Sequence, residues 1–283
     1  MGRILQFSDI HFGCEHRQAT AAALDYAHTT PADLTLITGD VTQHGHPDEF
    51  EAAGVWIRAM PEPTFVVVGN HDVPYWNAMA RLFWPWRAFE TTIGHPAHDH
   101  QFLGAALMVR GVTTARGWQA RLNWSKGVID LDQTRRAAEA LRQAPIGALR
   151  VLACHHPLIE MLGAPMTGEV RRGEAAAHIF AEAGVDLIMT GHVHVPFALP
   201  IEMSDRYSYA VGCGTLSLRE RGSPPGFNQI DWDSQTITVT AMGWTGDRFE
   251  AQQVWQLPRR QDTRAAATAP DPGVAGAMEQ AVT

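Results

Sequence analysis

Asp9 with His11, Asp40, Asn70 with His71 and Asp72, His155, and His192 with His194 share one kind of place in this chain. Each group closes a short apolar run: "RILQFSDIH", "LTLITGD", "TFVVVGNHD", "LRVLACHH" and "VDLIMTGHVH". Carboxylates, an amide and imidazoles, with no thiolate among them, form a mixed nitrogen and oxygen donor set that suits Mn, Fe, Co or Zn. Asn70 would complete such a shell with a neutral oxygen. It adds no negative charge that would repel an anionic substrate.

The runs are rich in β-branched residues and read as strands buried on both faces. In an α/β sheet, ligands gather at the carboxyl ends of strands, so five neighbouring strand ends would surround one crevice. Asp9/His11 and His192/His194 are i, i+2 pairs, which an extended segment points to one side. Gly39, Gly69 and Gly191 permit the tight backbone that turns the ligands inward.

Between the strands lie helical patterns at 18–28 and 48–60, the second opened by Pro47. Two more follow: 131–143, with Asp130 as N-cap, and 174–183, stopped by Gly184. Strands resume at 207–211, 227–232 and 236–242. Two packed sheets covered by helices would use all of this material. Residues 262–283, rich in Ala and Pro, read as a mobile tail.

Composition narrows the function. The chain has 283 residues, 45% of them hydrophobic, and a net charge of −8, so no basic surface advertises a nucleic acid polymer. Three dispersed cysteines indicate neither a disulfide framework nor a thiolate zinc site, and suit a reducing compartment. No signal peptide or membrane span is legible, which makes a cytoplasmic protein without membrane partners the expectation. Fourteen histidines point to metals or acid–base chemistry. P-loop, dinucleotide-binding, serine-hydrolase and H-E-x-x-H motifs are absent.

The ordered set D-x-H, G-D, G-N-H-D, H and G-H-x-H over residues 9–194 resembles the calcineurin-like metallophosphoesterase family. The resemblance implies a four-layer α/β/β/α sandwich of two mixed sheets flanked by helices, in one domain over residues 1–261. It also implies two divalent cations. Asp9, His11 and His194 would hold one, Asn70, His155 and His192 the other, and Asp40 would bridge them. Cations about 3.5–4 Å apart can hold a bridging hydroxide for in-line attack on phosphorus. His71 would then serve the leaving oxygen as general acid or as a stabiliser of its charge, and Asp72 would orient the loop.

"CHHP", "GHVH" and "GTLSLRERGSPPGFNQID" are similar to the bacterial branch holding class III cyclic nucleotide phosphodiesterases and glycerophosphodiesterases. A small phosphodiester is therefore the expected substrate. Phosphomonoesters, nuclease action and a non-catalytic scaffold are the alternatives. The aromatic segment 73–90, within 73–128, could wall a substrate cleft, form a contact in a homo-oligomer or simply pack into the core as an amphipathic helix. Arg116, Arg121 and Lys126, among the tryptophans of 113–127, form an anion or base-stacking patch or a solvated loop. "HPAHDH" at 95–100 reads as a solvated loop, His44 and His46 as helix entry, and Cys154 as a packed small hydrophobe. Strand alternation should send His155 and His156 to opposite faces.

Overall fold

A computed structural model describes residues 1–75, 77–118, 125–159, 170–203 and 206–260. The expected tail at 262–283, together with Trp76, Arg121 and Trp124, lies outside the described residues.

The first sheet begins with three parallel strands, β1 (Gly2–Phe7), β2 (Leu34–Ile37) and β3 (Thr64–Val66). Helices α1 (Arg17–Thr29) and α2 (Pro47–Ala59) make the crossovers. Pro47 opens α2 with its φ already suited to a helix, and the Glu49 carboxylate accepts the His46 N–H at 3.1 Å. Two short helices follow, α3 (Ala78–Phe83) and α4 (Arg87–Ile93), and then β4 (Gln101–Leu103) and β5 (Leu107–Gly111).

The second sheet grows from β5 through β6 (Leu149–Ala153) and β7 (Leu187–Thr190), all parallel. Helix α5 (Leu131–Arg142) begins at Asp130, whose carboxylate accepts the N–H groups of Asp132 and Gln133 at 2.9 Å each. Helix α6 (Gly173–Glu182) ends where Gly184 takes φ +77°. Strands β8 (Phe197–Met203) and β9 (Arg206–Gly212) complete this sheet in the order β4-β5-β6-β7-β9-β8. Strands β10 (Gly226–Trp232), β11 (Thr236–Trp244) and β12 (Phe249–Pro258) return to the first, giving β12-β11-β10-β1-β2-β3.

Alternation within the apolar runs builds the layers. On β1, Leu5 and Phe7 face α1 and α2, while Ile4 faces the other sheet; on β2, Ile37 and then Leu34 and Leu36 divide in the same way. Leu152, Cys154 and Ile188 pack under α5 and α6. Three cores thus separate four layers, with helices outside and two mixed sheets inside. A strand buried on both faces must be apolar throughout, which is why these runs were readable.

Four strands and two helices were not read from sequence. Edge strands β4, β8 and β12 carry exposed or interrupted patterns, such as Pro200 within β8. β3 stops at Val66 rather than 68, and β7 starts at Leu187 rather than 185. The segment 73–128, read as a cleft or contact insertion, also supplies β4 and the buried β5 of the second sheet. Within its aromatic stretch Phe89 is fully buried, whereas Tyr75, Phe83 and Trp84 are exposed. The 95–100 segment is a loop exposed at Pro96 and Asp99, but it is tied down at its end, where the His100 ring stacks on Phe65 with centroids 3.9 Å apart.

Candidate metal centre

The carboxyl ends of β1, β2 and β3 bring Asp9, Asp40 and Asn70 to the seam between the sheets. Those of β6 and β7 bring His155, His192 and His194 from the opposite side. A buried polar bridge holds the two sets in register: Gln6 on β1 donates to the Thr190 carbonyl on β7 at 3.0 Å, and its own oxygen accepts from Asn228 at 3.0 Å. These six residues and His11 are all buried.

The local conformation is not the extended one expected from the i, i+2 spacing. Asp9, His11, Asp40, His192 and His194 all have positive φ, between 51° and 69°. Non-glycine residues rarely adopt this left-handed region, and several together mark a site that the surrounding fold over-determines. Two of the preceding glycines act by close approach instead. A Cβ on Gly69 would lie 2.1 Å from Asp40 Oδ1, and one on Gly191 would lie 1.9 Å from Ser8 Oγ.

Backbone carbonyls fix the imidazoles. Nδ1 of His11, His155 and His194 lies 3.2, 2.8 and 2.7 Å from the carbonyl oxygens of Thr42, Thr38 and Arg219. With the proton on Nδ1, each Nε2 presents its lone pair to the cluster. The Nε2 atoms of His11 and His194 then face each other at 3.3 Å, and His194 Nε2 lies 3.1 Å from Asp9 Oδ1. Asp9 Oδ2 is occupied by Ser8 Oγ and the His192 N–H, but Oδ1 is buried without a hydrogen-bond partner among the described residues. Two nitrogens and a carboxylate oxygen converge where one cation would satisfy all three.

A second convergence adjoins the first. His155 Nε2 is 3.2 Å from both Asn70 Oδ1 and Asp40 Oδ2, and Asp40 Oδ2 is 3.9 Å from His11 Nε2. Asp40 therefore stands between the two groups. The rings of His155 and His192 are 5.2 Å apart by centroid.

Electrostatics favour the same occupant. Burial drives the His11 imidazole down to about 3 and His192 well below its ordinary value, so both are neutral donors of lone pairs. Burial also opposes charge on His155, yet the neighbouring Asp40 carboxylate pushes it up to about 9. Burial opposes ionisation of Asp9 and Asp40 as well, and the nearby imidazoles, His194 for Asp9 and His155 for Asp40, nevertheless hold both carboxyls below the ordinary range. Paired buried carboxylates draw in positive charge. Divalent cations fit this donor set.

His71 borders the convergence, with a ring nitrogen within 4.8 Å of ligand atoms of His11 and Asp40, whereas Asp72 serves the loops behind it. His71 donates its backbone N–H to Asp40 Oδ1 at 2.8 Å and holds Nδ1 on the Gln43 carbonyl at 2.6 Å. Asp72 is buried and accepts from Thr42 N, Thr42 Oγ1 and Gly69 N at 2.9, 3.0 and 2.8 Å, tying the two loops together. Burial, and then the charge of Asp40, pushes its carboxyl up to about 7. His155 and His156 do not point to opposite faces: their rings meet at 4.8 Å, because the chain leaves the strand at Ala153. His156 nevertheless uses both ring nitrogens, on Thr114 Oγ1 at 2.8 Å and the Ser125 carbonyl at 2.9 Å. Cys154 is buried and its thiol is pushed up to about 12 by that burial.

Sequence reasoning missed Arg219 and Arg221. The Arg219 Nη1 lies 3.1 Å from His71 Nε2 and 3.4 Å from His11 Nε2, and Arg221 Nη1 donates to the His192 carbonyl at 3.2 Å. Two arginines spaced i, i+2 in an otherwise acidic chain were the available signal.

The family model for calcineurin-like phosphoesterases matches residues 2–196. Over 80 residues the chain is 29% identical to a "Probable cyclic nucleotide phosphodiesterase" of Synechococcus sp.. That alignment covers 25% of this chain and 31% of the relative, so the chain matches about a third of its length. Among solved structures, PhoD superposes with a TM-score of 0.70 at 10% identity, covering 92% of this chain and 70% of that one. Purple acid phosphatase PPD1 from yellow lupin (Lupinus luteus) seeds gives 0.62 at 11% identity, covering 94% of this chain and 55% of the other. At such identities these two likenesses concern the fold.

Proposed function

Because this chain belongs to the calcineurin-like phosphoesterase family, we propose that it hydrolyses a small phosphodiester with the help of two divalent cations. The observation that carries the reading is Asp40 Oδ2, which lies between the Nε2 atoms of His11 and His155, 3.9 and 3.2 Å away. Asp9, His11 and His194 would hold one cation, Asn70, His155 and His192 the other, and Asp40 would serve both. When bound, such a pair supplies an activated water and neutralises phosphoryl oxygens.

The chain's own residues do the rest. The carbonyls of Thr38, Thr42 and Arg219 hold the imidazoles in one tautomer and aim their Nε2 atoms. Asp72 fastens the Gly69 and Thr42 backbones, which positions Asp40 and Asn70. His71 stands beside the cluster, its ring 4.8 Å from that of His11, as the residue to handle charge on the leaving oxygen. Preference for a diester is supported by the limited similarity to the phosphodiesterase relative. The acidic net charge supports a small substrate over a polynucleotide. The three unpaired cysteines support a reducing, cytoplasmic setting. The native metals of this reading are Mn, Fe, Zn or Co.

The test is hydrolysis of bis(p-nitrophenyl) phosphate beside p-nitrophenyl phosphate by chelated protein restored with Mn(II). Faster, metal-dependent turnover of the diester is expected. Preference for the monoester would make it a phosphatase, and absence of turnover with every metal tried would leave a scaffold that holds metal.

A further inference from the structure

Between β9 and β10 the chain folds back over the metal centre, and this return is built rather than draped. Thr215 Oγ1 donates to the Asp9 carbonyl at 2.6 Å, Ser217 N–H donates to Thr215 Oγ1 at 3.0 Å, and Arg219 N–H donates to Ser217 Oγ at 3.2 Å. The Arg219 carbonyl then takes the Nδ1 proton of His194. Hydrogen bonds thus lead from Asp9 to the backbone that presents Arg219. Its guanidinium is half-buried against His11 and His71, touching both through Nη1 alone. Nε and Nη2 make no hydrogen bond among the described residues.

Arg221, also half-buried, is held by the His192 carbonyl through Nη1. Among the described residues neither arginine has a carboxylate within ion-pair distance. Burial, and next the charge of Arg219, lowers Arg221 below its ordinary value. Two partly desolvated cations without counter-ions, beside a cluster that already calls for metal, are costly unless an anion joins them.

We propose that Arg219 and Arg221 form an anion clamp that takes non-bridging phosphoryl oxygens of the substrate and of the phosphate product. His71 is the positioning residue of this clamp. Its Nδ1 is committed to the Gln43 carbonyl, so its Nε2 accepts from Arg219 and leaves the remaining N–H groups of the fork for the ligand. Identifying the ligand as a phosphoester rests on the function proposed above.

The experiment uses the Mn(II)-loaded full chain and three variants, Arg219→Ala, Arg219→Lys and Arg221→Ala. Metal content, binding of inorganic phosphate by calorimetry, and the KM and kcat for bis(p-nitrophenyl) phosphate are measured for each. Both cations should be retained, while phosphate affinity falls roughly ten- to a hundredfold for each Ala variant, the usual loss for a charge-assisted contact. KM should rise with it, Arg219→Lys should keep part of the affinity, and millimolar guanidinium should restore part of it to Arg219→Ala. Phosphate affinity within twofold of the parent in both Ala variants overturns the clamp. Loss of metal from both Arg219 variants also overturns it, making the loop a scaffold for His194. If the parent protein hydrolyses no phosphoester yet these losses of phosphate affinity appear, the clamp stands and the phosphodiesterase reading falls.

Discussion

The two oxygens of Asp9 have different work, and substitution can separate them. Oδ2 must accept from Ser8 and the His192 N–H, so in Asp9→Asn the amide oxygen is drawn there and the NH2 group turns toward His194. An N–H facing the cation position excludes the ion, and Asp9→Asn should retain one metal per chain. Asp40→Ala, which removes the oxygen lying between both groups, should lose both and all turnover; metal analysis of the two variants decides this, and full stoichiometry in Asp40→Ala would refute a bridging role. Gly69→Ala is a sterner test of geometry. Its Cβ would lie 2.1 Å from Asp40 Oδ1 and 2.2 Å from Asp40 N, so the strand end must shift, at about 1–3 kcal/mol of stability by denaturant titration and with weakened metal binding. His71→Ala should keep its metals and lose rate. A loss largest for poor leaving groups would make His71 a proton donor, which requires its Nε2 to leave Arg219 and take up a proton during turnover, and an equal loss across leaving groups would leave it only the positioning of Arg219. At this scale much of the candidate site was legible in the sequence, because donor atoms cannot be exchanged freely and each one ends an apolar run. Arg219 was not, since its place depends on a long return between strands that no periodicity marks. The left-handed backbone at Asp9 and His194 was equally hidden, because these side chains give no sign of φ.

The elements contribute by holding two sheets at one separation and one register. Among the described residues Gln6 is the one side chain of β1 that hydrogen-bonds to β7, and it does so inside the apolar layer, where a lost hydrogen bond leaves Asn228 and the Thr190 carbonyl short of partners. Replacing Gln6 by Leu should therefore cost about 1–3 kcal/mol in urea denaturation despite the gain in apolar volume. It should also weaken metal binding at both positions, because ligands from opposite sheets lose their common spacing. Retained metal affinity in a destabilised Gln6→Leu would show that the loops alone set the site. The same division explains what of the fold could be read. Central strands such as β1, β2 and β6 are apolar on both faces and declare themselves, and helices with caps such as Asp130 or Gly184 declare their ends. Strand β12, with most of its residues exposed, offers no such contrast, and β5 follows the His-rich segment too closely to stand out.

The candidate metal centre would also be a joint of the whole molecule, because each proposed cation would take ligands from at least one loop of either sheet. Asp9, Asp40 and Asn70 come from the first sheet, and His155, His192 and His194 from the second. Without cations, a chain of net charge −8 keeps two buried carboxylates within one cluster, with the His155 proton as the compensation nearest to Asp40. Any ligand that binds only the folded state adds stability by mass action, about 2.7 kcal/mol at a concentration a hundred times its Kd. In a domain of this size that corresponds to a melting temperature higher by roughly 5–10 °C. Treatment with a chelator should lower the midpoint by this amount in calorimetry, and added Mn(II) should restore it. Asp40→Ala, already without metal, should melt at one temperature with or without chelator. If the parent protein gives up its metal and its midpoint does not move, the cores between the layers hold the sheets together unaided, and the cations act on chemistry alone.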